Sequence, residues 1–379
     1  MSFDETVLIA GAGIGGLALG VALQQARIKY EIFERVATPR EAGAGILVQA
    51  GAMRALRHLG LESEVVSLGC ELERGTGRNV AGTLLSTTSF DQLGAPTVAI
   101  HRARLHSALL GALEQGHIHL GRAVRTFEQN EHGVRAVFDD GGRSSVGGLL
   151  IGADGLRSAV RGELFGDAPP RYAGYTSWRG IAPCAGLVPH QEILEIWGRG
   201  LRFGAVSLGP GETYWFAVAN APAGELDADQ RAAVLARFAH FSGAVLALVQ
   251  ATPAESVLRT DIEDREPIAT WSRDRVALLG DAAHPTTPNL GQGGSMAIED
   301  AVVLSHCLST RASLRDALAA YERARVARTA EIVNASWRFG RVAQMDGRLG
   351  CWLRDLALRS TPQSVIRRRL LESASFSLV

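Results

Sequence analysis

Two short stretches of this chain set a carboxylate beside a cluster of glycines, residue types that together can grip a phosphate. In the first, Gly280-Asp281-Ala282-Ala283-His284-Pro285 leads through Pro288 to Gly291, Gly293 and Gly294. The apolar run Val276-Ala277-Leu278-Leu279 precedes it like a buried strand, and Ala297, Ala301, Leu304 and Leu308 follow with helical period. A strand, an acid, a glycine loop and a helix start direct unsatisfied backbone N–H donors at an anion. The second stretch lies near the other end of the chain. Val7-Leu8-Ile9-Ala10 runs into Gly11-Ala12-Gly13-Ile14-Gly15-Gly16, and a helical pattern follows through Leu17, Val21 and Leu23.

Gly11, Gly13 and Gly16 fit G-x-G-x-x-G. The first glycine permits a tight turn, the second lets backbone approach a pyrophosphate, and the third lets helix pack on strand. A second apolar run, Tyr30-Glu31-Ile32-Phe33, ends in Glu34, eighteen positions after Gly16, where a ribose hydroxyl needs an acceptor. This spacing predicts an adenine dinucleotide. A third stretch, Ile151-Gly152-Ala153-Asp154-Gly155-Leu156-Arg157-Ser158-Ala159-Val160-Arg161, passes from strand to helix. Ser158 and Arg161 are expected to present polar groups on one face of that helix.

Other reactive side chains form no constellation. No nucleophile–base pair stands out. His284 is read as bracing its loop; His101 and His106 as structural or exposed; Trp197, Trp215 and Trp271 as core. Cys70, Cys184, Cys307 and Cys351 are scattered without metal-ligand or redox spacing, which points to a reducing cytoplasm and no metal.

The elements that must hold these motifs alternate in texture. Residues 1–60 read as a βαβ unit with a helix near 52–59. Residues 70–100 carry strand-like fragments, and 103–115 read as a helix. A hairpin-like region includes a strand over 134–138. From about 173 to 268 short β-branched and aromatic segments predict an antiparallel sheet, interrupted by one helix over 227–240. Residues 314–358 read as mostly helical. The expected fold class is α/β (α+β): a Rossmann-type cofactor domain (1–75, 97–172 and 269–330) interrupted by a mixed or antiparallel β-sheet domain (76–96 and 173–268), with a helical segment at 331–379.

Composition adds exclusions. The 379 residues suffice for two domains, and 39 basic residues balance 39 acidic ones, giving no footprint for nucleic acid. Lys29 is the only lysine; the rest of the basic charge is arginine. The chain enters its first strand almost at once, so no signal peptide is expected, and no apolar run is long enough to span a bilayer. The basic run Ile366-Arg367-Arg368-Arg369-Leu370-Leu371 is read as a solvated helix face rather than a membrane contact.

The three motifs, in this order and spacing, resemble the single-component flavoprotein aromatic hydroxylases built like para-hydroxybenzoate hydroxylase. The resemblance covers about residues 5–330. It implies that Gly11, Gly13, Ile14 and Gly16 hold the pyrophosphate of FAD and Glu34 the adenosine ribose, with Arg35 beside the adenosine end. It implies that Arg102 lies near the ribityl-phosphate portion, that Asp154 and Gly155 help seat FAD, and that Asp281 binds the ribityl or pyrophosphate region. Pro288, Gly291, Gly293 and Gly294 would bring a helix start to the flavin ring edge, where reduced flavin carries negative charge. NADPH or NADH would dock transiently and reduce FAD. Oxygen would then form a flavin C4a-hydroperoxide that hydroxylates a small aromatic or heteroaromatic ring in a dry pocket.

The segment Arg171-Tyr172-Ala173-Gly174-Tyr175-Thr176-Ser177-Trp178-Arg179-Gly180 is similar to bacterial urate hydroxylases, and more loosely to salicylate hydroxylases and zeaxanthin epoxidases. That similarity implies substrate-facing roles for Arg202 and Tyr214. A cytoplasmic monomer or homodimer is expected. Two alternatives stand beside hydroxylation. One is a flavoenzyme of the same fold performing epoxidation, Baeyer–Villiger insertion or another oxidation on a larger hydrophobic substrate. The other is a nicotinamide dehydrogenase using the first motif alone, which the Gly280-Asp281 motif argues against.

Overall fold

In the computed structural model, which describes residues 3–38, 44–184, 188–376 and 378, the three motifs end neighbouring strands of one sheet. Val7–Ala10 is the pivot. It is paired in parallel on one side with Tyr30–Glu34 and on the other with Leu149–Gly152, which in turn pairs with Val276–Leu278. Ile118–Leu120 and Ser272–Arg273 complete six strands. All four residues of the pivot strand are buried. Continuous apolar runs of this kind belong to parallel strands covered on both faces. The helices Ile14–Gln25 and Gly293–Thr310 pack against each other over this sheet. Ligands of such sheets bind beyond the carboxyl ends of the strands, where all three motifs lie.

A seven-stranded sheet forms the second layer, in the order Leu258–Asp264, Arg171–Ala182, Glu212–Asn220, Leu201–Gly209, Glu192–Trp197, Arg74–Asn79, Leu84–Ser89. It is antiparallel except where Glu192–Trp197 pairs in parallel with Arg74–Asn79. Two of its strands thus come from the excursion at 74–89, far away in sequence. Its two faces differ because side chains alternate along a strand. One face, with Trp178, Phe203, Trp215 and Ala217, is buried in a core with Val234, Phe238 and Leu248. Inside that core Trp215 donates to the Thr252 hydroxyl at 2.8 Å, which in turn donates to the Leu248 carbonyl.

The helix expected over 227–240 is Gln230–Arg237, and a second helix that was not expected, Gly243–Ala251, follows it. Asp229 caps the first by accepting from Ala232 N. The second is almost wholly apolar and is rich in valine and leucine, so its sequence reads as a strand as readily as a helix. Other helices shift only at their ends: Ala50–His58 and Arg102–Gly111. The C-terminal region forms Leu314–Ala343, Arg348–Ser360 and Gln363–Ala374. No helix among the described residues is long and apolar enough to cross a membrane.

Candidate functional site

The G-x-G-x-x-G loop shows a different physical reason for each glycine. Gly11 has φ +107°, and a Cβ there would stand 2.6 Å from the Ala153 carbonyl oxygen. A Cβ on Gly16 would lie 2.0 Å from the Gly11 carbonyl oxygen. On Gly13 a Cβ would meet nothing within 4 Å. Space is therefore reserved in front of Gly13, at the start of the Ile14–Gln25 helix, which has no side-chain cap. Ile14 itself is buried. Glu34 sits at the end of the neighbouring strand, where it accepts from Ala12 N at 2.8 Å and Val36 N at 3.0 Å. Arg35 points to solvent.

Asp154 follows the third strand. Its Oδ2 accepts from Ala159 N at 2.8 Å and Val160 N at 3.3 Å, while its Oδ1 is buried without a partner. Burial raises its carboxyl above the usual range, with these hydrogen bonds acting against the rise. Gly155 has φ +84°, which turns the chain toward the helix. Ser158 caps that helix by accepting from Arg161 N. Ser158 and Arg161, expected to present polar groups on one face of this helix, are both buried. Arg161 is buried and donates to the carbonyls of Ala282 (2.9 Å) and Ala283 (2.8 Å). Arg161 thereby braces the neighbouring motif, and desolvation brings its guanidinium down to about 10.

Asp281 is exposed, yet the atoms crowded around it desolvate its carboxylate. That surround raises its carboxyl; His284 and Arg102 pull the other way, and Asp300 adds to the rise. Its Oδ1 lies 3.8 Å from where a Gly293 Cβ would stand, so it faces the start of the Gly293–Thr310 helix. Arg102 is exposed and opens its own helix. The turn Pro288–Leu290 ends at Gly291, φ +63°, and Gly294 packs so closely on Ile46 that a Cβ would come within 2.6 Å of it. Gln49 holds this loop from outside: its amide donates to the Leu290 carbonyl at 2.7 Å, and its backbone N–H donates to Ser295 Oγ. Gln292 donates to the Gln49 side-chain oxygen. His284 is 2% exposed and donates from Nε2 to Asp300 at 2.5 Å.

The register of the seven-stranded sheet decides what faces this loop. Arg202 stands opposite Val218, Gly204 opposite Phe216, and Val206 opposite Tyr214, so Arg202, Phe216 and Tyr214 share one face. Arg179 and Ile181 join them across the next strand. Arg202 is 2% exposed, with its guanidinium 5.7 Å from the Phe216 ring and 5.9 Å from Phe339. One nitrogen donates to Asn289 Oδ1 at 2.8 Å; Nε and Nη1 are buried without hydrogen-bond partners, Glu195 being 3.9 Å away. Asn289 in turn donates to the Tyr175 hydroxyl, Thr287 Oγ1 and the Ser336 carbonyl. The sheet face is thereby tied to the Pro288–Gly291 loop. Tyr214 lies flat on Gly45, where a Cβ would come 2.4 Å from its Cγ. Burial raises the Tyr214 phenol, with Arg179 acting against this, so it stays a donor at neutral pH.

Arg179, Phe216, Gln49, Gln292 and Asn289 had no signal of their own in the sequence. Strand alternation counted from Tyr214 would have found Phe216. Gly45→Ala is expected to push the Tyr214 ring aside and cost about 1–3 kcal/mol by overpacking. A melting temperature equal to the parent's would contradict that packing.

The residues fit a flavin dinucleotide: a reserved space at a capless helix start, an orphaned buried carboxylate oxygen and an exposed acid facing a second helix start. The FAD binding domain family matches residues 4–336. The chain is 44% identical to the aurachin C monooxygenase/isomerase of Stigmatella aurantiaca, over 100% of both chains. It is 35% identical to the 2-heptyl-3-hydroxy-4(1H)-quinolone synthase of Pseudomonas aeruginosa, over 96% of each. The structure of Klebsiella pneumoniae HpxO complexed with FAD and uric acid superposes with a TM-score of 0.91 at 31% identity, covering 97% of this chain and 96% of that one.

Proposed function

The chain belongs to the FAD binding domain family and is an FAD-dependent monooxygenase of aromatic compounds, and from that premise we propose its substrate and the roles of its residues. The substrate is a bicyclic nitrogen heteroaromatic of the quinoline or 4-quinolone type that carries an apolar chain; the co-substrates are NAD(P)H and O2. When bound, FAD supplies two-electron transfer from NAD(P)H and the activation of O2 for insertion of one oxygen atom into the ring.

The protein's own part is to bind, orient and keep dry. Gly13 leaves room for the pyrophosphate on a turn that Gly11 and Gly16 allow to close, Glu34 accepts from the ribose, and Asp154, Asp281 and Arg102 line the path between them. The start of the Gly293–Thr310 helix favours negative charge at the flavin edge. Arg202, a buried cation two of whose nitrogens make no hydrogen bond, draws a ring oxygen in its anionic form, which enriches the ring in electrons for oxygen transfer. Tyr214 donates to a ring carbonyl or stacks on the ring.

The observation that carries the choice of substrate is the apolar ground beside Tyr214. Leu47, Phe90, Ile181 and Ile193 stand partly buried around it, against the buried Val206 and Leu208. A polar purine has no use for that surface, whereas an alkyl or isoprenoid chain does. By their names, one of these relatives acts on aurachin C and the other makes a heptyl-hydroxyquinolone.

The test is NAD(P)H oxidation by FAD-loaded protein with 2-alkyl-4-quinolones, quinolines, urate and hydroxybenzoates, with product and peroxide measured together. An alkylquinolone or alkylquinoline should stimulate oxidation at least about tenfold, with product matching the NAD(P)H consumed; loss of a buried apolar group alone discriminates by 10–200-fold. Stimulation by urate or benzoates instead would sink the substrate assignment. In Arg202→Gln, product formed per NAD(P)H is expected to fall by about 10²-fold while FAD stays bound, the scale of removing one charge-stabilising donor. Unchanged coupling would remove Arg202 from the reaction.

A further inference from the structure

One helix of this chain is packed inside out. Along Arg348–Ser360, Leu349, Trp352, Leu353 and Leu356 recur at the spacing of a single helical face, yet that face is solvent-exposed, Leu349 by 70% and Trp352 by 60%. The face turned inward carries Cys351 and Arg354, both buried. Arg354 fixes the orientation. Its guanidinium donates to the carbonyls of Gly198 and Ala343 and to Asp355, and lies 5.3 Å over the Trp197 ring. The helix therefore cannot roll to bury its leucines without stranding that cation. A contiguous exposed ridge of this kind marks an interaction surface.

Charge identifies the occupant. Between residues 338 and 372 there are eight arginines and three acids, a net +5 within a chain whose total formal charge is zero. Arg338, Arg341, Arg348, Arg359 and Arg367 to Arg369 are all exposed. The next helix, Gln363–Ala374, packs against the same edge strand, Leu84–Ser89, as the inside-out helix does. The helix that carries Arg367 to Arg369 thus lies at the same sheet edge as the helix that carries the ridge. Leucines and a tryptophan flanked by arginines are the chemistry of a helix lying in the interface of an anionic bilayer.

We propose that Arg348–Ser360, with the arginines of Gln363–Ala374, docks the protein on the surface of an anionic phospholipid bilayer. The docking face backs onto the proposed substrate side: Trp197 meets Phe339 edge-on at 5.5 Å, and Phe339 lies beside Arg202. If the apolar-chain substrate proposed above is right, docking delivers it from the membrane in which it dissolves. The docking itself does not rest on that reading.

The experiment is co-sedimentation of the full-length, FAD-loaded chain with vesicles of mixed phosphatidylcholine and phosphatidylglycerol, and with phosphatidylcholine alone. Binding should be at least about tenfold stronger on the anionic vesicles and should weaken in high salt. Leu349→Ser with Leu353→Ser should lower it by about tenfold or more. Arg367→Gln, Arg368→Gln and Arg369→Gln together should lower it similarly and flatten the salt dependence. Flavin absorbance and thermal melting show that each variant is folded. No sedimentation of the parent, or equal sedimentation of parent and variants, overturns the proposal. So does a dimer in analytical ultracentrifugation that the leucine variant dissolves while vesicles bind neither protein, since the ridge is then covered by a second copy.

Discussion

Arg325→Met is expected to destabilise the protein by about 3–5 kcal/mol, the cost of stranding buried charge. Arg325, on Leu314–Ala343, is 2% exposed and pairs with Asp300 at 2.6 Å and Glu299 at 2.9 Å, both essentially sealed from water. Asp300 also accepts from Gly280 N at 3.1 Å and from His284. One guanidinium therefore compensates two buried acids, and one of those acids holds the turn that presents Asp281. Loss of FAD affinity should accompany the loss of stability. Urea unfolding of the two proteins measures the first, and flavin titration the second. A stability loss below about 1 kcal/mol would mean that Arg328, 3.5 Å from Glu299, suffices as a replacement.

The same network sets an acid limit. Burial alone would raise the Asp300 carboxyl, but His284 and Arg325 outweigh it and bring it from 3.8 to about 2. A folded value below the unfolded one contributes stability that is present above about pH 4 and is lost as pH falls toward 2. Arg325→Met removes one of the two opposing charges, so the acid limb of its stability curve should flatten relative to the parent. An unchanged limb would show that Asp300 does not govern it.

The second large effect separates binding from folding. Gly13→Val should weaken FAD binding by at least about 100-fold, about 2.7 kcal/mol, by placing a side chain where the pyrophosphate approaches. In the absence of FAD its stability should change by less than about 1 kcal/mol, the cost of a poor helix-capping residue. The reason is the open space in front of Gly13, whose φ of −73° and ψ of −177° any residue adopts. Gly16→Ala should behave differently. Its Cβ meets backbone with or without cofactor, so about 1–3 kcal/mol of stability should go together with the affinity. If Gly13→Val retains FAD within about threefold of the parent, the dinucleotide does not lie against this loop.

What the sequence by itself determined is what contiguous residues encode. A glycine pattern between an apolar strand and a helix, with an acid at the end of the next strand, specifies its own turn and its own donors. Gly11, Gly16, Glu34, Asp154 and Asp281 were therefore legible as types at positions, and with them the family. The alternation of texture also announced a second sheet, although the apolar helix at 243–251 was not read as one. Contacts across long separations were not legible. Arg161 braces carbonyls more than a hundred residues away, Gln49 holds a loop more than two hundred away, and Asn289 joins Arg202 to that same loop. Strand register alone brought Arg202, Phe216 and Tyr214 to one face, because a shift of one residue would have sent each to the other side. The outward leucines of Arg348–Ser360 are the clearest case. Their spacing shows an amphipathic helix, but only the contacts of Arg354 decide which side faces the protein, since a helix has no preferred roll until something anchors it.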